Sequence, residues 1–245
     1  MDKANEILRK SASIEKSAIS DADLAAINEF SLKALSAAEV FSFTVILCGN
    51  AVDRTFDRFT DAALEDMAVL YVGKTVIKDH AHRADGQIAR IYATELTEPD
   101  ESGYRQLKAR CYMIRTESTA DLIREIEGGI KREGSVSFTP KSYVCGICGA
   151  DNLQTICRHW PGATYKKDGE DTVCVFTIDG VSDCYEFSLV AVPAQPEAGV
   201  CKAYKGQIAQ TTPHAEDTMS NEKEALLKRL IAARIRATKE INDIN

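Results

Sequence analysis

Seven short segments rich in β-branched and aromatic residues dominate the middle of this sequence. They are VFSFTVILCG (40–49), KTVIKDH (74–80), IARIYATELTE (88–98), YRQLKARCYMI (104–114), SVSFTPKSYV (135–144), VCVFTIDG (173–180) and CYEFSLVAV (184–192). Segments of this length and composition are typical of β-strands. The PDESGY stretch between the third and fourth segments has the composition of a hairpin turn.

Two helices interrupt the strands. In TDAALEDMAVLY (60–71) the apolar residues share one face, and Thr60 is a candidate N-cap. In STADLIREIEGG (118–129) Ser118 and Asp121 have the spacing of a capping box, and the helix should end at the two glycines. Many strands and few helices predict a mainly β fold with flanking helices (α+β), built as a closed or nearly closed seven-stranded β-barrel.

The remainder of the chain divides into appendages of different character. We predict a polar, weakly helical extension over residues 1–36, a main domain over 37–205, a linker over 206–220 and an amphipathic helix over 221–245. The terminal helix begins at Asn221 and carries an apolar stripe that includes Leu227 and Ile231. Because an isolated helix is marginally stable, we expect self-association or a partner.

Charge and hydropathy exclude several classes of function. The formal net charge is −7, whereas proteins that bind nucleic acid or anionic membranes broadly need basic surfaces. No apolar run approaches the roughly 20 residues that span a bilayer, and the N-terminus lacks the apolar stretch of a signal peptide. The sequence therefore predicts a cytosolic protein that binds neither nucleic acid nor membrane.

Three of the eight cysteines lie close together in CGICGADNLQTICRH (145–159). In a reducing compartment such a cluster favours metal binding over disulfides. Cys145, Cys148, Cys157 and His159 supply the four ligands of a tetrahedral Zn²⁺ site, within an insert over residues 143–165. Since all four positions are filled by protein, we predict a structural zinc rather than a catalytic one. Cys174 is an alternative to His159 as the fourth ligand.

The candidate chemical groups elsewhere are a histidine pair and a serine pair. His80 and His82 follow an apolar strand, and Ser135 and Ser137 fall on one face at the start of another. Taken alone, both pairs are also compatible with ordinary structural roles. A metal site built on Asp79, His80 and His82, as in a metallohydrolase, is a further reading of the same residues.

Four blocks, taken together and in order, resemble the prohead (capsid-maturation) serine proteases of tailed bacteriophages, which share the herpesvirus assemblin-type fold. The blocks are CGNAVDRTFDRF, GKTVIKDHAHRADGQIARI, GSVSFTP and YEFSLVAVPAQPEAGV. The last is the most specific, and the match covers roughly residues 38–201. A Cys-x2-Cys…Cys-x-His insert after the serine strand also occurs in a subgroup of this family.

The resemblance implies that His80 is a general base and Ser135 the nucleophile of a protease domain over 37–205. Ser137, where the family often has glycine, lies on the same face and is the alternative nucleophile. An imidazole that removes the hydroxyl proton needs a third group to fix its tautomer. We predict that Glu186 has this role, with Asp183 and His82 as alternatives.

The expected function is that of a serine endopeptidase enclosed in the immature prohead, in the host bacterial cytoplasm. Its expected substrates are the phage scaffold, or the scaffolding segment of the major capsid protein, and its own termini. The C-terminal helix would dock it onto scaffold or capsid subunits. Two alternatives are a non-catalytic zinc-ribbon protein that binds other head proteins and the metallohydrolase described above.

Overall fold

The computed structural model of the chain describes residues 19–201, which lie within one compact unit. Predictions for residues 1–18, the linker over 206–220 and the helix over 221–245 fall outside this range. The α-helices are α1 (Asp21–Asn28), α2 (Asp61–Leu70) and α3 (Ala120–Glu127). The strands are β1 (Val40–Gly49), β2 (Asp57–Phe59), β3 (Thr75–Lys78), β4 (Ala89–Leu96), β5 (Gln106–Ile114), β6 (Gly134–Cys145), β7 (Thr164–Lys167), β8 (Glu170–Val173), β9 (Phe176–Leu189) and β10 (Gly199–Val200).

Eight strands form one mixed sheet in the order β10-β1-β5-β4-β3-β9-β2, with β6 paired to the other side of β9. β2 and β3 run parallel to β9, and the remaining pairs of this sheet are antiparallel. β7 and β8 form a separate hairpin.

The sheet is not closed, so the prediction of a closed or nearly closed seven-stranded barrel is wrong. A barrel requires a continuous hydrogen-bonded ladder between its first and last strands. β10 has only two residues, and a single isolated bridge joins Gly199 to Glu133 ahead of β6. The α+β character was predicted correctly, with three short α-helices in the described range.

Two predicted strands, 173–180 and 184–192, are one 14-residue strand, β9. The sequence DGVSD between them has turn composition, but Gly180 (φ +74°) lies in a continuous strand. The pairing with β6 keeps one register across Gly180, from Val181 to Asp179, and shifts only farther along, between Ser137 and Phe138 and between Thr139 and Pro140. β9 therefore runs the length of the fold and pairs on both sides.

The helices follow their sequence signals closely. α2 begins where predicted, because the Thr60 hydroxyl accepts a hydrogen bond from the Ala63 N–H. α3 ends at Gly128, but the capping box before it uses Thr116 and Thr119 rather than Ser118 and Asp121. A 3₁₀ turn over residues 117–119 precedes α3 and moves its cap toward the N-terminus.

The main core lies between the sheet and helices α2 and α3. The core includes Leu64 and Met67 of α2 and Tyr71 at its C-terminus. They belong to one cluster with Val76 of β3 and Phe187 of β9, and all five are fully or almost fully buried. A second cluster joins Ile27 of α1 to residues of β1, β4 and β5. Within residues 19–201 no helix combines the length and hydrophobicity needed to cross a bilayer.

Gly134, the first residue of β6, packs closely against the ring of Phe187 in the core. A Cβ atom there would lie 2.0 Å from Cζ of Phe187, a fully buried ring. We expect Gly134→Ala to lower the free energy of unfolding in urea by about 1–3 kcal/mol, the usual cost of overpacking. The double variant Gly134→Ala/Phe187→Leu should show a smaller loss than the sum of its two single changes. A Gly134→Ala protein as stable as the parent would contradict the close contact.

Candidate functional site

Two polar residues, Glu186 and Ser188 of β9, are buried in the described part of the chain, with whole-residue exposures of 2% and 0%. They lie on one face of the strand, and Phe187 between them points into the core on the other. In the sheet register Glu186 is opposite Ser137 of β6, and Ser188 is opposite Ser135. The two predicted serines therefore lie beside a buried carboxylate.

His80 reaches this face through an unusual turn after β3. Asp79 and His80 have φ values of +53° and +52°, and the Ala81 N–H donates to the Lys78 carbonyl at 3.0 Å. Positive φ at both central positions is the pattern of a type I′ turn, and aspartate and histidine are, with asparagine, the non-glycine residues enriched in this conformation. The turn directs the backbone N–H of His80 at the Ser188 hydroxyl, with a distance of 3.0 Å.

The imidazole of His80 lies against the buried carboxylate. Its Nδ1 atom is 2.8 Å from Oε1 of Glu186 and 3.1 Å from Oγ of Ser137. Nε2 of His82 is 3.8 Å from the same Oε1. The side chain of His80 is 39% exposed, whereas that of Glu186 is 3% exposed. A partly exposed imidazole thus contacts a buried carboxylate, an arrangement that recurs at catalytic sites.

With Glu186 as an anion, the hydrogen-bond directions place the proton of a neutral His80 on Nδ1. A backbone N–H can only donate, so the Ser188 hydroxyl accepts from His80 and donates its own proton to Oε2 of Glu186 at 2.8 Å. An ionised carboxylate only accepts, so Nδ1 of His80 must carry the proton that Oε1 receives. The free lone pair of the ring is then on Nε2, and Ser137 Oγ contacts Nδ1 only as an acceptor.

The predicted site residues separate into those that meet and those that do not. His80 and Glu186 are in direct contact, and His82 approaches the same carboxylate. Ser137 contacts the ring, whereas no hydrogen bond joins Ser135 to His80 in residues 19–201. Asp183 forms an ion pair with Lys74 at 3.1 Å, away from the histidine. Of the three candidates for the orienting group, Glu186 has the contact that this role needs.

Sequence reasoning missed two residues of the site. Ser188 had a signal, since it alternates with buried apolar residues two positions after Glu186. Tyr71 had none beyond its place on the apolar face of α2. Its hydroxyl donates toward the carbonyls of Ser137 (3.1 Å) and Glu186 (3.4 Å), and burial raises the pKa of Tyr71 well above its usual value. Tyr71 thereby ties β6 to β9 beneath the site.

A second cluster lies at the far end of β6. The donor atoms of Cys145, Cys148, Cys157 and His159 all lie within 4.8 Å of one another, so the cluster can hold a metal ion. Zn–S and Zn–N bonds of usual length imply tetrahedral edges of about 3.5–3.8 Å, and Cys145 Sγ is 3.6 Å from His159 Nδ1. The geometry is compatible with zinc.

The turn after Cys145 directs backbone N–H groups at its sulfur and so favours a thiolate. Gly149, at φ +74°, lets its N–H bond to the Cys145 carbonyl at 2.9 Å. Burial acts to raise the pKa of the Cys145 thiol. Hydrogen bonds from the N–H groups of Cys148 and Ile147 nevertheless hold this pKa below its usual value. Donor N–H groups aimed at sulfur favour the charged form that metals bind.

Cys174, the alternative ligand, lies at the edge of this cluster. Its Sγ is 3.8 Å from Cys145 Sγ, but it is not one of the four donors that all lie close together. The four-residue set with His159 is therefore the better-formed site.

The two clusters are well separated along β6. Ser137 and Cys145 are opposite Glu186 and Phe176 at the two ends of β9, and eight residues of strand span roughly 25 Å. Among residues 19–201 the cysteine cluster is the one converging group of metal-ligand side chains, so Asp79, His80 and His82 do not form a second. This finding weighs against the hypothesis of a metallohydrolase built on these three residues.

No protein-family model, no curated protein and no solved structure matches this chain. Its chemistry is therefore inferred from its own residues and their geometry.

Proposed function

We propose that the protein is a serine endopeptidase in which His80, oriented by Glu186, is the general base. The observation that carries the proposal is the 2.8 Å contact between His80 Nδ1 and a carboxylate with 3% exposure, beside two strand serines. A buried carboxylate on the far ring nitrogen both orients an imidazole and stabilises the imidazolium formed when it takes a proton. The four sequence blocks that resemble prohead proteases support the same reading.

The proposed nucleophile is Ser135. With Nδ1 donating to Glu186, only Nε2 can accept a proton from an attacking hydroxyl. Ser137 faces Nδ1, so its contact is not that of a nucleophile with its base. Ser135 is on the same face, one residue pair farther along and opposite Ser188, which holds the His80 backbone. The proposal requires the Ser135 hydroxyl to approach Nε2 when substrate binds, as catalytic contacts often tighten in the substrate complex.

The proposed reaction follows from these roles. Nε2 of His80 takes the Ser135 proton as Oγ attacks the carbonyl carbon of the scissile peptide bond. The imidazolium, paired with Glu186, then gives this proton to the leaving amine, and an acyl-enzyme forms. Water, deprotonated in turn by Nε2, hydrolyses the ester and regenerates the hydroxyl. General acid–base help of this kind contributes about 10²–10⁴-fold to the rate.

The proposed setting is the immature phage prohead in the host bacterial cytoplasm. The substrates are the scaffold, or the scaffolding segment of the major capsid protein, and the enzyme's own termini. This part of the proposal is supported by the blocks around His80, Ser135 and Glu186, of which YEFSLVAVPAQPEAGV is the most specific.

The serine roles are tested by two single changes. We expect Ser135→Ala to lower cleavage of a scaffold-derived peptide by at least about 10³-fold, since removing a nucleophile removes the covalent step. Ser137→Ala should cost about tenfold or less. Cleavage rates, intact mass of the full chain to detect truncated termini, and labelling by a fluorophosphonate measure the effect. If Ser137→Ala is the inactive variant, the assignment of the nucleophile is wrong; if both retain activity, the serine mechanism is wrong.

The role of the carboxylate is tested by Glu186→Gln, which keeps the shape of the side chain. An amide can donate to the ring and favours the wrong tautomer, so kcat should fall by about 10²–10⁴-fold. Asp183→Asn is the matched control, because Asp183 is on the same strand and paired with Lys74. Equal activities of the two variants would contradict the proposed role of Glu186.

We also propose that the metal ion is zinc and that its role is structural. Cys145, Cys148, Cys157 and His159 would hold it and leave no position for a substrate or catalytic water. The ion would cross-link the turn after β6 to the loop before β7. Its distance from His80 fits a role in stability rather than in turnover.

Metal removal should therefore lower stability before it lowers activity. We expect about one equivalent of zinc in the purified protein by elemental analysis, and a lower melting temperature after chelation or in Cys145→Ser. Cys201→Ser, at an exposed cysteine, is the control. Cys174→Ser should keep its zinc while His159→Ala binds it more weakly. The reverse result would make Cys174 the fourth ligand.

A further inference from the structure

Ser188 lies at the centre of the site but has no part in making or breaking bonds. Its side chain has 0% exposure, and its Oγ atom makes two hydrogen bonds, one from the His80 N–H and one to Glu186 Oε2. Each partner belongs to the His80–Glu186 pair. A change at Ser188 therefore affects both the backbone of His80 and the carboxylate that its imidazole contacts.

These contacts close a ring of hydrogen bonds. The ring runs from the His80 backbone to Ser188, from Ser188 to Oε2 of Glu186, and from Oε1 back to Nδ1 of the same histidine. The ring of His80 is thus bound to the carboxylate directly, and its backbone N–H is linked to the same carboxylate through Ser188. Each donor in the ring has an acceptor within the ring, and with Glu186 as an anion these directions place the imidazole proton on Nδ1. Ser137 Oγ, 3.1 Å from Nδ1, lies beside the ring as a second acceptor.

We propose that Ser188 is a positioning residue that holds the imidazole of His80 as the Nδ1–H tautomer. Its donation to Oε2 fixes the rotation of the Glu186 carboxylate, so that Oε1 faces the ring. Its acceptance from the His80 N–H stabilises the turn in which Asp79 and His80 have positive φ. The consequence for catalysis rests on the proposed function, but the effect on the tautomer does not.

A serine that only filled space or satisfied a backbone N–H would behave differently. Its loss would lower the free energy of unfolding and leave the ring protons where they were. Loss of a positioning serine instead frees Oε2, lets the carboxylate rotate, and allows Nδ1 and Nε2 to share the proton. The two roles are separated by a measurement on the ring itself.

The experiment uses the full chain labelled with ¹⁵N in its four histidines. Imidazole nitrogen shifts distinguish a protonated from an unprotonated ring nitrogen, and His80→Gln identifies the His80 signals by their loss. We expect one Nδ1–H tautomer in the parent protein and a mixture of tautomers in Ser188→Ala. Ser188→Thr, which keeps the hydroxyl, should restore the single tautomer. Ser182→Ala is the matched control on β9, since this exposed serine bonds only to the Thr139 carbonyl.

Kinetics supply a second readout on the same variants. Ser188→Ala should lower kcat by about 10- to 100-fold through misplacement of the base, with KM changed by less than about twofold because no substrate contact is lost. A single Nδ1–H tautomer retained in folded Ser188→Ala would overturn the proposal, as would a loss of activity that only follows the loss of folded protein. If the parent hydrolyses no peptide, the protease proposal fails, and the nitrogen shifts still decide the role of Ser188.

Discussion

A carboxylate as deeply buried as that of Glu186 must be paired, because an isolated buried charge costs several kcal/mol. Its hydrogen-bond partners are the ring of His80, after β3, and the hydroxyl of Ser188 on β9, and Ser137 of β6 contacts the ring in turn. No buried side-chain nitrogen or oxygen in residues 19–201 lacks a hydrogen-bond partner. The need to pair this one carboxylate accordingly constrains how the turn after β3 is arranged on β9.

The long strand β9 makes that arrangement possible. It pairs with β6 on one side and with β2 and β3 at opposite ends of the other, so that both clusters are anchored to one element. The cysteine cluster contacts the Phe176 end, where Cys145, Cys174 and Phe176 pack together, and the His80–Glu186 pair lies near the Leu189 end. A cluster that can hold a metal ion and a histidine–carboxylate pair are therefore carried by one strand without sharing residues. Tyr71 adds rigidity beneath the His80–Glu186 pair by bridging the backbones of β6 and β9.

The sequence predicted the chemistry-bearing residues better than it predicted their arrangement. The contact of His80 with Glu186 and the convergence of the cysteine cluster both follow residues singled out from sequence. The barrel did not follow, because closure depends on a ladder to β10 that two residues cannot supply. The split of β9 into two strands was wrong for a local reason: Gly180 has positive φ, as in many turns, yet the pairing with β6 continues across it.

What the sequence by itself determined are properties set by neighbours along the chain: strand composition, the cap of α2, the Cys-x2-Cys turn and the same-face placement of Ser135 and Ser137. Only the tertiary structure decided which serine contacts the ring, which nitrogen of His80 faces the carboxylate, and that Ser188 completes the network. His80 and Glu186 are 106 positions apart, and their contact depends on the parallel register of β3 with β9. Such a register is fixed by packing of both faces of the sheet, which no local pattern encodes.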